Sequence, residues 1–313
     1  MKKTLLAFLL ISAFIQCSKE DSSVPFNLPK LELNFGPQTT TLPFEGQFTF
    51  FKDVPYGTKP QNKLDILLPS KSDIKGVVLY FHGGGFLSGS KEDLYLSPSK
   101  ELVQALLAAD IVVINAAYTF ISDEASQGVF TALEEGTQVI EFTERNAALM
   151  GIPSQQIVLA GVSAGAGIAQ WNGFHNETNE SIRGIVATFA QSSYDLYEWE
   201  KLFPDYSLDS LRTKYEELET LFTDFYNGDA DEEKRALLDY RNFMDPTDPP
   251  FYVFNPVYEN AFIDANDSLD FNVLFHSVKH ADYLRKKALT VGLEFSGGYK
   301  EAPEAFIERM LSK

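Results

Sequence analysis

The stretch Ile157-Val158-Leu159-Ala160-Gly161-Val162-Ser163-Ala164-Gly165 constrains this chain more than any other. A short apolar run rich in β-branched residues reads as a strand covered on both faces. It runs into two glycines that flank a serine, and the small residues beyond suit the start of a helix. Such a strand–turn–helix bends the chain sharply and holds the Ser163 hydroxyl exposed at its tip. Gly161 and Gly165 permit the bend, and the N–H of Ala164 points at whatever sits against the hydroxyl. One pattern of this kind is weak evidence. A second stands about eighty residues upstream, where the apolar run at 76–81 is followed by His82-Gly83-Gly84-Gly85-Phe86. Gly84 and Gly85 would supply two more N–H donors to an oxyanion, because glycine lets the backbone approach closely. His82 and Gly83 read as the structural part of that loop, with His82 bracing it by hydrogen bonding rather than acting as a base.

The rest of the chain fits around these two turns. Apolar runs at 77–81, 111–115, 157–160 and 185–189 alternate with amphipathic stretches around 98–109, 125–149 and 164–175. That rhythm predicts an α/β fold with a mostly parallel central sheet flanked by helices. Segments 48–51 and 64–68 read as antiparallel strands joined through the turn at 56–60. The segment 195–247 breaks the rhythm. It is acidic and aromatic, and Leu211, Tyr215, Leu218 and Phe222 recur at helical spacing, so a helical cap insertion over the sheet is expected. A strand at 249–254, a helix at about 276–289, a last strand at 291–295 and a last helix at 303–311 complete the sequence. Residues 46–313 thus read as one domain, with no internal repeat.

The first residues speak of location. Lys2 and Lys3 precede an apolar run that ends at Cys17, the one cysteine of the chain. A charged start with a short apolar core reads as an export signal over 1–17, too short to span a membrane. Cys17 sits where a bacterial lipoprotein signal is cut and lipidated, with plain secretion as the alternative. Residues 18–45, rich in Ser, Pro and Thr, read as a tether and extended arm. The expectation is an extracytoplasmic protein that meets the membrane only through its N-terminal lipid. A net charge of −18 with no basic cluster argues against nucleic-acid binding, because phosphates would be repelled.

These residues resemble the α/β-hydrolase superfamily, particularly bacterial carboxylesterases of the hormone-sensitive-lipase-like and feruloyl-esterase-like groups. The resemblance covers about residues 52–311 and rests on 81–86 with Gly89-Ser90-Lys91, on 161–165, and on the opening Tyr56-Gly57 and 64–69. It implies a serine nucleophile at Ser163, an oxyanion hole from Gly84, Gly85 and Ala164, and no cofactor or metal. The family's acid would follow the strand at 251–254, which places Glu259 there, with Asp264, Asp267 and Asp270 as fallbacks. Its histidine would follow the last strand, where this chain has Tyr299. Tyrosine titrates near pH ~10 and cannot serve as an imidazole-like base around neutrality. No histidine occurs after His280.

His276 and His280 lie four apart at the start of the expected helix at 276–289, so they would share one face. From there His276 could reach Ser163 as a substitute base; otherwise the pair caps that helix or sits on its surface. A metal held by the pair lacks obvious third ligands. Two functions remain open. One is a carboxylic-ester hydrolase acting on a small acyl ester. The other is a catalytically impaired relative that binds a small acyl or glycan-derived ligand.

Overall fold

The computed structural model describes residues 26–312 apart from Ser72, 176–178, Ala265 and Asp267. The export segment with Cys17, the first part of the tether, and Asp267 lie outside the described residues. In chain order the elements are α1 (Leu28–Phe35), β1 (Phe48–Pro55), β2 (Lys63–Pro69), β3 (Gly76–Phe81), α2 (Ser99–Ala108) and β4 (Ile111–Ala116). Next come α3 (Val129–Asn146), β5 (Ile157–Val162), α4 (Ala164–Phe174) and β6 (Ile182–Thr188). Then follow α5 (Leu208–Lys214), α6 (Glu216–Tyr226), α7 (Glu232–Leu238) and β7 (Phe251–Phe254). The chain closes with α8 (Phe271–His276), α9 (Val278–Val291), β8 (Phe295–Gly297) and α10 (Pro303–Leu311).

The strands pair in the order β1-β2-β4-β3-β5-β6-β7-β8. β1 and β2 pair antiparallel, as does β2 with β4, and every pairing from β4 onward to β8 is parallel. β3, β4 and the first five residues of β5 are wholly buried, which explains their largely apolar sequence; the exception is Asn115 of β4, whose Nδ2 donates to the Lys91 carbonyl. One core packs α1, α3, α4 and the cap against one face of the sheet, and a second packs α2 and α10 against the other. β1 and β2 are tied to the loop after β3 by an ion cluster centred on the buried Lys91 and Asp65. Lys91 Nζ lies 2.9 Å from Asp65, Asp53 and Glu92, and Tyr95 Oη donates to Asp65 at 2.6 Å.

Four expectations need correction. The arm read at 18–45 is not extended throughout: Leu28–Phe35 form α1, whose Leu31 and Phe35 are buried in the core. The helix expected across 276–289 is α9, and His276 falls outside it as the last residue of a separate short helix, α8, the two parted at Ser277, whose backbone is extended (φ −54, ψ 145). Consequently His276 and His280 do not share a helix face. The last strand is not 291–295: α9 runs through Val291, stops at the left-handed Gly292, and β8 begins at Phe295. The periodic run at 211–222 is likewise parted, because α5 ends at Lys214 and the extended Tyr215 begins α6. The insertion itself runs from a 3-10 turn at Leu196–Lys201 through α5, α6 and α7 to a second at Tyr240–Asn242. Ion pairs knit its ends together: Arg235 to Asp195 at 3.0 Å, and Arg241 to Asp239 at 2.7 Å and to Glu198.

Candidate functional site

Ser163 sits between β5 and α4 in a conformation that only a sharp turn imposes (φ 52, ψ −116). A non-glycine residue there costs about 1–3 kcal/mol, which the surroundings must offset. They do so with backbone bonds. Ser163 N–H donates to Thr188 at 2.9 Å, and Ala166 N–H donates to Ser163 at 2.9 Å. A Cβ on Gly165 would overlap the carbonyls of Phe81 and His82, so glycine lets α4 start directly against the end of β3. That contact brings the two glycine-rich turns together. A Cβ on Gly83 would lie 3.4 Å from the Cβ of Ser163.

The loop after β3 is a tight turn in which the Gly84 carbonyl accepts from Leu87 and Ser88 N–H, both at 3.1 Å. Gly84 (φ 117) and Gly85 (φ 64) occupy left-handed conformations. His82 is buried, and its Nδ1–H donates to Gly83 at 2.6 Å. Tyr118 stacks on its ring at 4.3 Å and donates from Oη to its carbonyl at 2.8 Å. Burial pushes the His82 pKa down, so the ring is a neutral brace. The N–H of Ala164 belongs to the first turn of α4 and has no partner within that helix.

The imidazole beside Ser163 is that of His276. Its Nε2 lies 2.9 Å from Ser163 Oγ, and its Nδ1 lies 3.0 Å from Oδ1 of Asn272, one turn earlier on α8. With Nδ1–H donating to the amide oxygen, the Nε2 lone pair faces the serine hydroxyl. Phe189 stands edge-on to the ring at 5.5 Å. Burial depresses the His276 pKa.

Glu259, expected as the acid, is exposed, and the group at Nδ1 is Asn272. The contact made by Glu259 is through its backbone, whose carbonyl accepts from Ser277 Oγ at 3.4 Å. Asp264 accepts from N–H groups of its own loop, and Asp270 caps α8 by accepting from Val273 N–H at 3.1 Å. Tyr299 is 68% exposed, with the Arg285 guanidinium over its ring.

A helix of six residues has no stability of its own, so α8 must be held from outside. Its last carbonyls are taken one by one. His280 Nε2–H donates to Leu274 at 2.8 Å, Gln191 Nε2 to Phe275 at 2.9 Å, and Asn255 Nδ2 to Ser277 at 3.1 Å. Val278 N–H turns away to Val257 at 2.7 Å. The other ring nitrogen of His280 accepts from Ser192 N–H at 3.1 Å. His280 is therefore neither a surface residue nor a partner of His276 but a buried anchor.

Gly85, Phe86, Ser163 and Ala164 form one wall of a cavity of about 130 Å³. The opposite walls come from the insertion and α8, among them Trp199, Leu211, Leu218, Phe222, Phe225 and Phe275. The lining contains no ionisable acid or base other than Tyr194 and Tyr206. Both phenols are buried, and the Tyr194 Oη donates to the carbonyl of Ala164 at 2.6 Å. An empty apolar space of roughly 150 Å³ suffices for a benzene ring, so a compact apolar group fits here.

Asn272, Gln191 and Asn255 were not singled out from the sequence. Asn272 carried a usable signal, since it precedes His276 by four positions, the spacing of neighbours on a helix.

Residues 64–257 match the BD-FAE family. A rice (Oryza sativa subsp. japonica) protein described as a probable isoprenylcysteine alpha-carbonyl methylesterase is 30% identical over 147 residues, 47% of this chain and 33% of its own length. An Arabidopsis thaliana isoprenylcysteine alpha-carbonyl methylesterase is 30% identical over 157 residues, 47% of this chain and 35% of its own. The chain thus spans about a third of the length of these curated relatives. Among solved structures, a truncated carbohydrate esterase from gut microbiota aligns with a TM-score of 0.65 at 15% identity, over 87% of this chain and 100% of that one. A bifunctional GH43-CE protein of Bacteroides eggerthii aligns with a TM-score of 0.57 at 18% identity, over 84% and 37%. These likenesses establish the α/β-hydrolase fold.

Proposed function

The chain belongs to the BD-FAE family, a carboxylesterase-like group of α/β-hydrolases, and we propose that it hydrolyses a small acyl ester through a serine acyl-enzyme. The observation that carries this reading is Ser163 Oγ at 2.9 Å from His276 Nε2, at the tip of a turn that abuts the Gly83–Gly85 loop. Ser163 Oγ attacks the ester carbonyl carbon while its proton passes to Nε2. The carbonyl electron pair moves to the oxygen, which the N–H groups of Gly84, Gly85 and Ala164 hold. Collapse breaks the bond to the alcohol oxygen, which takes the proton from Nε2. Water then repeats the attack on the acyl-enzyme, giving the acid and free Ser163. The apolar cavity takes the carbon part of the ester. Ester hydrolysis by the methylesterase and carbohydrate-esterase relatives supports the reaction class.

A second reading, a binding protein with residual turnover, is favoured by one observation: the residue at Nδ1 is a neutral amide rather than a carboxylate. Purified 20–313 assayed with acetyl, butyryl and benzoyl p-nitrophenyl esters separates the two. Turnover lost in both Ser163→Ala and His276→Ala supports the hydrolase, and turnover no greater than that of Ser163→Ala supports the binder. Export and lipidation at Cys17 belong to the same proposal. They are tested by fatty-acid labelling of wild type and Cys17→Ala in a bacterial host, and an unlabelled wild-type chain would overturn lipidation.

A further inference from the structure

We propose that Asn272 is the positioning residue of this site, its amide oxygen fixing the His276 tautomer in which Nε2 is free to accept the Ser163 proton. This rests on the ester-hydrolase reading for its effect on rate, but not for its effect on the imidazole.

The argument begins with the ring. It lies between two hydrogen-bond partners, Asn272 Oδ1 at 3.0 Å from Nδ1 and Ser163 Oγ at 2.9 Å from Nε2. A neutral imidazole carries one N–H, so whatever occupies Nδ1 decides whether Nε2 can act as a base. An amide oxygen can only accept, which places the proton on Nδ1. Were the amide turned so that Nδ2–H faced the ring, the proton would move to Nε2. It would then point at Ser163, and no base would remain. Asn272 therefore works through His276 and not on the substrate.

The local chain leaves this task to Asn272. Asp270 is engaged as the cap of α8, Asp264 accepts from its own loop, and the exposed Glu259 touches Ser277 by its backbone. Asn272 and His276 are one turn apart on a helix whose end is fixed by His280, Gln191 and Asn255. Their spacing is thus set by the body of the protein. Phe189 and Phe275 flank the imidazole, while Asn272 itself lies on the exposed side of α8. The titratable group facing His276 from α9 is His280, a buried neutral ring.

The test is ¹⁵N NMR of the histidine-labelled protein, with the His276 signals assigned by their loss in His276→Gln, alongside ester kinetics. Wild type is expected to show a protonated Nδ1 and an unprotonated Nε2. Asn272→Leu should show a mixture of tautomers, and kcat should fall by about 10²–10⁴ with KM within roughly twofold. Asn272→Asp should restore the Nδ1–H form, recover kcat, and raise the pH at which the ring titrates. Unchanged His280 signals report that the fold is intact in each variant. A wild-type ring protonated at Nε2, or an Asn272→Leu ring that keeps both the Nδ1–H form and full kcat, overturns the proposal. An inactive wild type with the expected tautomer would instead sink the hydrolase reading and leave the positioning of the ring standing.

Discussion

His280 Nε2 lies 2.8 Å from the carbonyl oxygen of Leu274. In a continuous helix that carbonyl would accept from the N–H of Val278, but Val278 donates to Val257 instead. The imidazole replaces the missing donor, and its other nitrogen accepts from Ser192 N–H. Accepting from Ser192 requires a neutral ring with its one proton on Nε2. The position of His276, two residues past Leu274, depends on this buried histidine.

Stability should therefore fall on mild acidification. Burial lowers the His280 pKa from 6.5 to about 4. Above pH ~6.5 the ring is neutral in the folded and unfolded chains, and its contribution is fully present. Between that value and about 4 the unfolded chain binds a proton that the native state refuses, so stability is lost as pH falls, by up to about 3 kcal/mol. Urea unfolding at about pH 7 and about pH 4.5 measures it. His280→Gln should be less stable than wild type at neutral pH and should lose less on acidification. Equal losses in the two proteins would refute this account.

Activity should persist below the pH at which an ordinary histidine becomes charged. Burial is what lowers the His276 pKa, and the base acts only when unprotonated. The expected profile of kcat/KM is flat through neutrality and falls with a midpoint below the ordinary value of 6.5. A profile from about pH 4 to about pH 9 checks it. A midpoint above the ordinary value would mean that an anion faces the ring.

Gly84 should tolerate no side chain. Its φ of 117 disfavours any L residue, and a Cβ would overlap the Ser88 carbonyl. Gly84→Ala must displace this turn, and in the oxyanion hole proposed above losing one donor costs about 10²–10³ in kcat. The drop should appear in kcat for acetyl esters, with little change in thermal midpoint if only the loop moves. A variant of wild-type activity would place the oxyanion elsewhere.

The sequence disclosed the site unevenly, for physical reasons. The elbow at Ser163 and the loop at 82–86 were legible because each is a local pattern of small residues after an apolar run. The strands between 76 and 188 were legible because a strand buried on both faces must be mostly apolar, with exceptions such as Asn115 and Arg183 too few to mask the run. The break at Ser277 was not. No glycine or proline lies between Phe271 and Val291, and the helix is parted by partners distant in sequence, Asn255, Val257 and Gln191. A periodic reading carries one helix through such a point and puts His276 and His280 on one face. For the same reason Glu259 was the expected acid: counting along the chain does not reveal which residue the fold turns towards Nδ1.

The cavity should set a limit on the apolar part of the ester. Leu211 at the body of α5 and Leu218 on α6 face the same space as Phe86 and Ser163. About 130 Å³ is near the size that accommodates one aromatic ring. Benzoyl and short alkyl acyl groups should therefore be cleaved with higher kcat/KM than acetyl, each buried methylene adding up to about 0.8 kcal/mol until the space is filled. Acyl groups bearing a carboxylate should be rejected, because the lining holds no cation to pair with it. Leu218→Trp fills part of the space from the cap side, away from the Ser163–His276 pair. It should lower kcat/KM for butyryl and benzoyl esters by about tenfold or more while leaving acetyl turnover within about threefold, since one or two lost methylene contacts are worth that much. If all acyl lengths fall together, the cavity is not where the acyl group binds; if none falls, the carbon chain lies outside the cap.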